Sequence, residues 1–251
     1  MSSNNVLTNG ITIYVEDTGK TFHTINDWDL ALGNNNYIGD PEMETTYISI
    51  PGRDGLIDAT EAITNRRIYK RRELAFEMGG LHPNTNWDAI ISGMRNEIEG
   101  RVCHLILDND AEYFWKGRVF IQGFDRFRSI GTFTLAVPNA DPYKYDVLSS
   151  SEPWLWDPFN FQTGVIVQTQ ATVISGSGYV DIPHGHMPVS PNIVVSDKIS
   201  GTFTVTFDGV TYNLTVGDNK IPAIIVNGDS DVRLNFNGSA TVQIVYRGGS
   251  L

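Results

Sequence analysis

Three groups of side chains have the types and spacing that invite chemistry. Asp108, Asp110 and Glu112 alternate as the first ligands of a calcium loop do, and hard cations take oxygen ligands. The glycine and distal glutamate that would complete an EF-hand are absent, so Asp108-Asn109-Asp110 reads instead as a hairpin turn. His184 and His186, two residues apart in an extended segment, could turn both imidazoles toward one metal. They lie in the proline-bounded loop Pro183-His184-Gly185-His186-Met187-Pro188 with no obvious third ligand. Trp154, Trp156, Phe159 and Phe161 offer flat faces on which sugars could stack, or an apolar strip to pack along a surface. Interface packing is the expected reading.

No catalytic signature accompanies them. The chain has no nucleophile elbow, no phosphate-binding glycine loop, no His-Glu-x-x-His and no paired-cysteine ligand site. With 29 Asp and Glu residues, carboxylate pairs arise by chance and do not argue for glycoside hydrolysis. The expectation is a non-enzymatic protein without cofactor or metal.

One cluster runs against the overall charge. Arg66, Arg67, Lys70, Arg71 and Arg72 form a basic run in a chain of net charge −11. Alternation continuing into Leu74 makes it a strand or hairpin arm, not a helix. It is a candidate subunit interface, pairing with acidic residues of a neighbouring subunit such as those in Asp40 to Glu44. A solvated strand is the plain alternative. Nucleic-acid binding comes third, because no aromatic platform or second basic patch supports it. The net charge itself opposes a grip on phosphates but not the passage of DNA past an acidic wall.

The elements that hold these groups divide the chain of 251 residues in its middle. Apolar content of 41% and charged content of 19% fit an ordinary globular composition, and no stretch approaches the length of a membrane span. The start of the chain shows no secretory signal, and the single Cys103 excludes an internal disulfide. Residues 1–148 read as an α+β domain of antiparallel sheets with one helix, Asn86 to Glu99. Trp87, Ile90, Ile91, Met94 and Ile98 recur there at three-and-four spacing. Thr85 with Asp88 suggests a capping box, and Gly100 suits the C-terminal cap. Leu74, Phe76 and Met78 should face that helix. Arg101 to Asp108, apolar on both faces, should lie centrally in its sheet. Residues 149–163 form a Ser/Pro-rich aromatic connector.

Residues 164–251 read as an all-β sandwich. A two-residue turn at Asp208-Gly209 registers Phe207 with Val210, Val205 with Tyr212 and Phe203 with Leu214. A three-residue loop, Asn237 to Ser239, would make a second hairpin pairing Phe236 with Ala240 and Leu234 with Val242.

The most informative string is Ile50-Pro51-Gly52-Arg53-Asp54-Gly55-Leu56. Its two glycines force an unusual turn between strand-like segments and display Arg53 and Asp54 at the tip. It is followed in order by Glu112-Tyr113-Phe114-Trp115-Lys116-Gly117-Arg118-Val119, then Thr132 to Leu135, then Asp141-Pro142-Tyr143-Lys144-Tyr145. This succession, over roughly residues 10 to 146, resembles the distal tail protein family of siphophages that infect Gram-positive bacteria. On that resemblance Pro51, Gly52, Arg53, Asp54 and Gly55 are the family turn. Gly117, Arg118, Asp141, Pro142 and Tyr143 are the family strand and domain close. The resemblance implies a galectin-like or jelly-roll C-terminal sandwich. It further implies a homohexameric ring at the virion tail tip, assembled in the host cytoplasm without membrane insertion. One face would meet the tail tube protein and the other a tail-associated lysin or tip protein. The outward domains would hold baseplate or receptor-binding proteins, and DNA would pass without specific binding. The alternative class is a soluble carbohydrate-binding module.

Overall fold

The computed structural model describes residues 9–82, 86–127, 130–152, 170–197, 201–227 and 230–251. By its contacts the chain separates into two compact units, Met1–Lys144 and Tyr145–Leu251. The connector aromatics Trp154, Trp156, Phe159 and Phe161 and the capping residue Thr85 lie outside the described residues. The described chain is mostly β, in several antiparallel sheets.

The first unit is built from strands that alternate apolar and polar residues, so that period two buries one face of each. In Ile11–Val15 the buried set is Ile11, Ile13 and Val15, and in Arg72–Gly80 it includes Leu74, Phe76 and Met78. One sheet runs Thr21–His23, Ile11–Val15, Val102–Leu107 and Tyr113–Arg118 in that order, placing Val102–Leu107 between two neighbours as its two-sided apolar character requires. A second sheet runs Phe120–Phe127, Ile130–Ala140, Arg72–Gly80 and Leu30–Leu32, with Tyr37–Ile38 also paired to Arg72–Gly80.

The helix Trp87–Ile98 is where its periodicity places it. Trp87, Ile91, Met94 and Ile98 are buried in the same core as both sheets, with Ile90 packed beside them. Asn86 is its N-cap residue without a side-chain capping bond, and Gly100 at φ +70° turns the chain away after the last turn. A second helix, Thr24–Trp28, adds to the one read from the sequence. Its five residues are too few for a helical period to show.

The second unit packs two four-stranded sheets around one core. Phe203–Phe207 and Val210–Leu214 pair in the register set by the two-residue turn, with Phe203 opposite Leu214 and Asp208 and Gly209 both at positive φ. The second expected hairpin does not form. Val232–Asn237 pairs with Ser177–Ile182 and Phe203–Phe207, whereas Ala240–Val245 pairs with Thr172–Ile174 and Asn192–Ser196 in the opposite sheet. Gly238, at φ +115° and packed against the Thr202 carbonyl, carries the chain across from one sheet to the other. Leu234, Phe236, Val242 and Ile244 therefore meet within the core instead of lying side by side on one face.

Candidate functional site

Residues 40–71 leave the second sheet of the first unit as an arm. The ladder that pairs Tyr37 with Ala75 and Ile38 with Leu74 continues outward. The Gly39 N–H donates to the Glu73 carbonyl at 2.8 Å, Lys70 N–H to Glu42, and Glu44 N–H to Ile68, with Met43 bridged to Tyr69. Beyond this, Tyr47–Ser49 and Leu56–Asp58 form a separate two-stranded hairpin. Its turn has Gly52 at φ +82° and Gly55 at φ +81°, which explains both glycines, and leaves Pro51, Arg53 and Asp54 exposed at the tip. Thr60 steadies the hairpin's base, accepting from the Thr46 N–H at 3.0 Å and donating its own N–H to Asp58 at 2.9 Å. Hydrogen bonding from the Thr60 side chain, and then from its N–H, holds the Asp58 carboxyl below its ordinary range.

The arm cannot bury its own apolar side chains. Leu56 is 63% exposed and Ile63 95%, and Tyr47, Ile48 and Ile50 are exposed as well. A lone two-stranded ribbon has no second layer to cover such residues and is marginally stable by itself. Five large apolar side chains exposed on one short arm exceed the singly scattered residues normal for a surface and mark an interaction site.

The arm's root is held by three aromatic and ionic contacts. Tyr69 meets Tyr143 edge-on, with ring centroids 5.8 Å apart. Arg71 pairs with Asp141 at 3.0 Å and donates to the Asn139 carbonyl at 3.1 Å. The Arg72 guanidinium lies 4.9 Å from the centroid of the Trp115 ring. Arg72 is only 6% exposed, and its Nε and Nη2 have no hydrogen-bond partner among the described residues. Burial pushes its pKa down, against the opposing charge of Asp40 across the ladder.

The five basic residues are thus not one surface. Arg72 is in the core and Arg71 locks the root. Lys70 pairs with Glu42 at 2.7 Å and Arg67 approaches Glu61 at 3.7 Å, both within the same chain. The acidic segment 40–44 expected to receive this run from a neighbouring subunit is its cross-strand neighbour in one chain. Arg66 is half-buried beside Tyr143, where its charge and that of Arg67 act against the burial that raises the tyrosine's pKa.

The remaining motif residues have structural work. A Cβ on Gly117 would collide with Val137 Cγ1 and lie 3.1 Å from Ala140 Cα, so only glycine lets the two sheets approach there. Arg118 Nη1 donates to the Gly100 carbonyl at 2.8 Å just after the long helix ends. The Asp141 N–H donates to the Lys116 carbonyl at 2.9 Å, and Pro142 links Asp141 to Tyr143 along the chain. Arg71, Lys116, Gly117, Arg118 and Asp141 line a cleft of about 560 Å³. Two of its three cations are compensated, Arg71 by Asp141 and Lys116 by Glu16 at 2.5 Å, and the third, Arg118, is held by the Gly100 carbonyl.

The metal candidates separate. Asp108 accepts from the Gly10 N–H at 2.6 Å and faces His23 at 3.1 Å, while Asp110 pairs with Lys144 at 2.6 Å. Burial raises the pKa of Glu112. His184 pairs with Asp231 at 2.7 Å, and no group of three metal-ligating side chains occurs among the described residues. Sequence reasoning missed the exposed apolar set of the arm. The signal was present in Tyr47, Ile48, Ile50 and Leu56, apolar residues crowded around a glycine turn among charges.

No helix among the described residues is long and apolar enough to cross a membrane. No family model matches the chain, and no curated protein matches it in sequence. Among solved structures it is similar to the crystal structure of the SPP1 Dit (gp 19.1) protein, described as a paradigm of the hub adsorption apparatus in phages infecting Gram-positive bacteria. The TM-score is 0.56 at 12% identity, covering 94% of this chain and 98% of that one. The chain has a Dit-like fold, a likeness of architecture reached with little likeness of sequence.

Proposed function

We propose that this chain is a non-enzymatic structural hub of a siphophage tail tip. Six copies form a ring through the first unit, with a central channel that conducts DNA. One face of the ring meets the tail tube protein, the other a tail-associated lysin or tip protein. The second unit, as a galectin-like sandwich, faces outward and holds baseplate or receptor-binding proteins.

The observation that carries this reading is the arm. It is anchored at its root by Arg71, Arg72 and Tyr69, yet bears apolar residues that its own unit leaves exposed. A neighbouring copy would cover them, and the Dit-like fold makes a hub assembly the natural setting. The net charge of −11, repeated around a ring, favours a bore that does not retain duplex DNA.

The test is light scattering after size exclusion. The intact chain is compared with a variant in which Ile48 and Leu56 are both serine. Assembly in the parent and monomer in the variant, with equal melting of both, is the expected outcome. Equal assembly by both would remove the arm from the interface. A soluble carbohydrate-binding module would instead remain monomeric while binding glycans.

A further inference from the structure

Two clefts adjoin on the first unit and share Val102 and Arg118. The one described above runs from Arg71 and Asp141, at the root of the arm, to Phe120 and Pro138. The other, of about 480 Å³, continues past Arg118 to Arg101 and Asp17. Val102, Phe120 and Pro138 give this groove an apolar lining, with charges along its rim. Three of its four cations are matched by carboxylates: Arg71 by Asp141, Lys116 by Glu16, and Arg101 by Asp17 at 2.6 Å. Arg118, where the clefts meet, is exposed and is in no ion pair among the described residues. In a chain of net charge −11 the groove thus carries one unmatched positive charge beside apolar surface.

The arm tip presents the complement. Asp54 is exposed, and its carboxylate has no partner among the described residues. Ile50 and Leu56 stand exposed on either side of it. Gly52 and Gly55, with nothing within 4 Å of an added Cβ, keep the tip narrow. The tip lines neither cleft of its own chain. The ladder from Gly39 to Glu44 carries the arm about 17 Å from its root before the hairpin begins, at roughly 3.4 Å per residue.

We propose that the groove receives the arm tip of a second copy of this chain, with Asp54 of one copy against Arg118 of the next. The inference rests on the ring reading and names the surface that the arm meets. Tip and groove are different patches of one chain, so the contact is heterologous: each copy gives a tip and takes one. Such contacts close into a ring or run on as a filament, and they do not stop at a dimer. The apolar lining covers Ile50 and Leu56 and removes water from around the ion pair, which strengthens its attraction. The Gly100 carbonyl holds the Arg118 guanidinium before the tip arrives. Because the neighbouring cations are already paired, Arg118 alone is left for a carboxylate, and this sets the register of the tip.

The experiment compares assembly of the full-length parent, Asp54→Arg, Arg118→Asp and an equal mixture of the two variants, by light scattering over a concentration series. In either variant alone, like charges meet at every contact. In the mixture, the substituted tip of one variant meets the substituted groove of the other, and the native tip meets the native groove. Each variant alone should need at least tenfold more protein for half-assembly, and mixing should bring it back to within about threefold of the parent. Melting curves check the fold; if Arg118→Asp melts early, Asp54→Arg at its exposed turn decides alone, by the same tenfold criterion. Variants that assemble like the parent would overturn the groove and leave the ring standing. Assembly lost in both folded variants and not restored by mixing would overturn the pairing, because the substitutions would then act within each chain. A parent that stays monomeric even with the tail tube protein added would instead remove the ring reading, and this inference with it.

Discussion

Arg71 and Asp141 meet at 3.0 Å and join the strand returning from the arm to the segment that closes the first unit. The pair gives a physical role to two motifs far apart in sequence. The basic run supplies the cation and the Asp-Pro-Tyr close supplies the carboxylate, with Tyr143 bracing Tyr69 two residues away. Arg71 is 61% exposed, so the pair is worth about 0–1 kcal/mol. Its removal should loosen the arm and not unfold the unit. In Asp141→Asn, amide exchange should quicken from Glu42 to Lys70 while the melting temperature hardly moves. Unchanged exchange in the arm would mean that the backbone ladder alone holds the root.

Two glycine substitutions should have opposite signs. Gly117→Ala pushes a methyl group into Val137 and Ala140, and overpacking of this kind costs about 1–3 kcal/mol. Gly93→Ala lies on the exposed side of the long helix with nothing within 4 Å of the added carbon. It should stabilise by about 0.5–1 kcal/mol through helix propensity. Urea unfolding of both variants reads the two signs directly.

Acid should weaken the first unit partly through Glu16. Its hydrogen bond from Lys116 lowers its pKa from the ordinary 4.5, burial opposes this, and His104 adds to the lowering at 2.7 Å. A carboxylate with a depressed native pKa contributes stability that is complete above the unfolded value. That stability fades as pH falls through the native one. Stability measured in urea should therefore drop below about pH 4.5, and Glu16→Gln should flatten that part of the profile. An unaltered acid limb in the variant would assign the loss to other carboxylates.

The second unit should fold alone, and more stably when its leading segment is included. Ser150 is buried, donates to the Ile244 carbonyl at 3.1 Å and accepts from the Tyr246 N–H at 2.9 Å. Arg247 also reaches the Asp146 and Val147 carbonyls. A fragment of residues 145–251 should be more stable than one of residues 152–251 by about 1–3 kcal/mol, since the shorter piece leaves a buried N–H unpaired. Equal denaturation midpoints would show that the leading segment contributes nothing.

What the sequence made legible was local. The helix at 87–98 and the hairpin at 203–214 follow from residues within one or two turns of each other, where period and turn chemistry decide. Partners distant in the chain were not legible. Alternation in 232–245 is the same whether two strands pair or face each other across a core, so the crossing at Gly238 looked like a hairpin. Likewise the run from Arg66 to Arg72 reads as one basic patch. In the fold a two-residue period and the Trp115 ring draw Arg72 inward while Arg71 turns out to Asp141. The arm was legible as a turn but not as an exposed surface, because exposure depends on what the rest of the chain fails to cover.

The central claim is that this chain assembles into a six-membered ring through its arm. Electron microscopy of the purified chain, with native mass spectrometry on the same sample, tests it most directly. The account predicts rings with six subunits and a matching six-chain mass, both lost when Ile48 and Leu56 are changed to serine. Monomers of the unmodified chain at every concentration, with no ring on adding the tail tube protein, would contradict it.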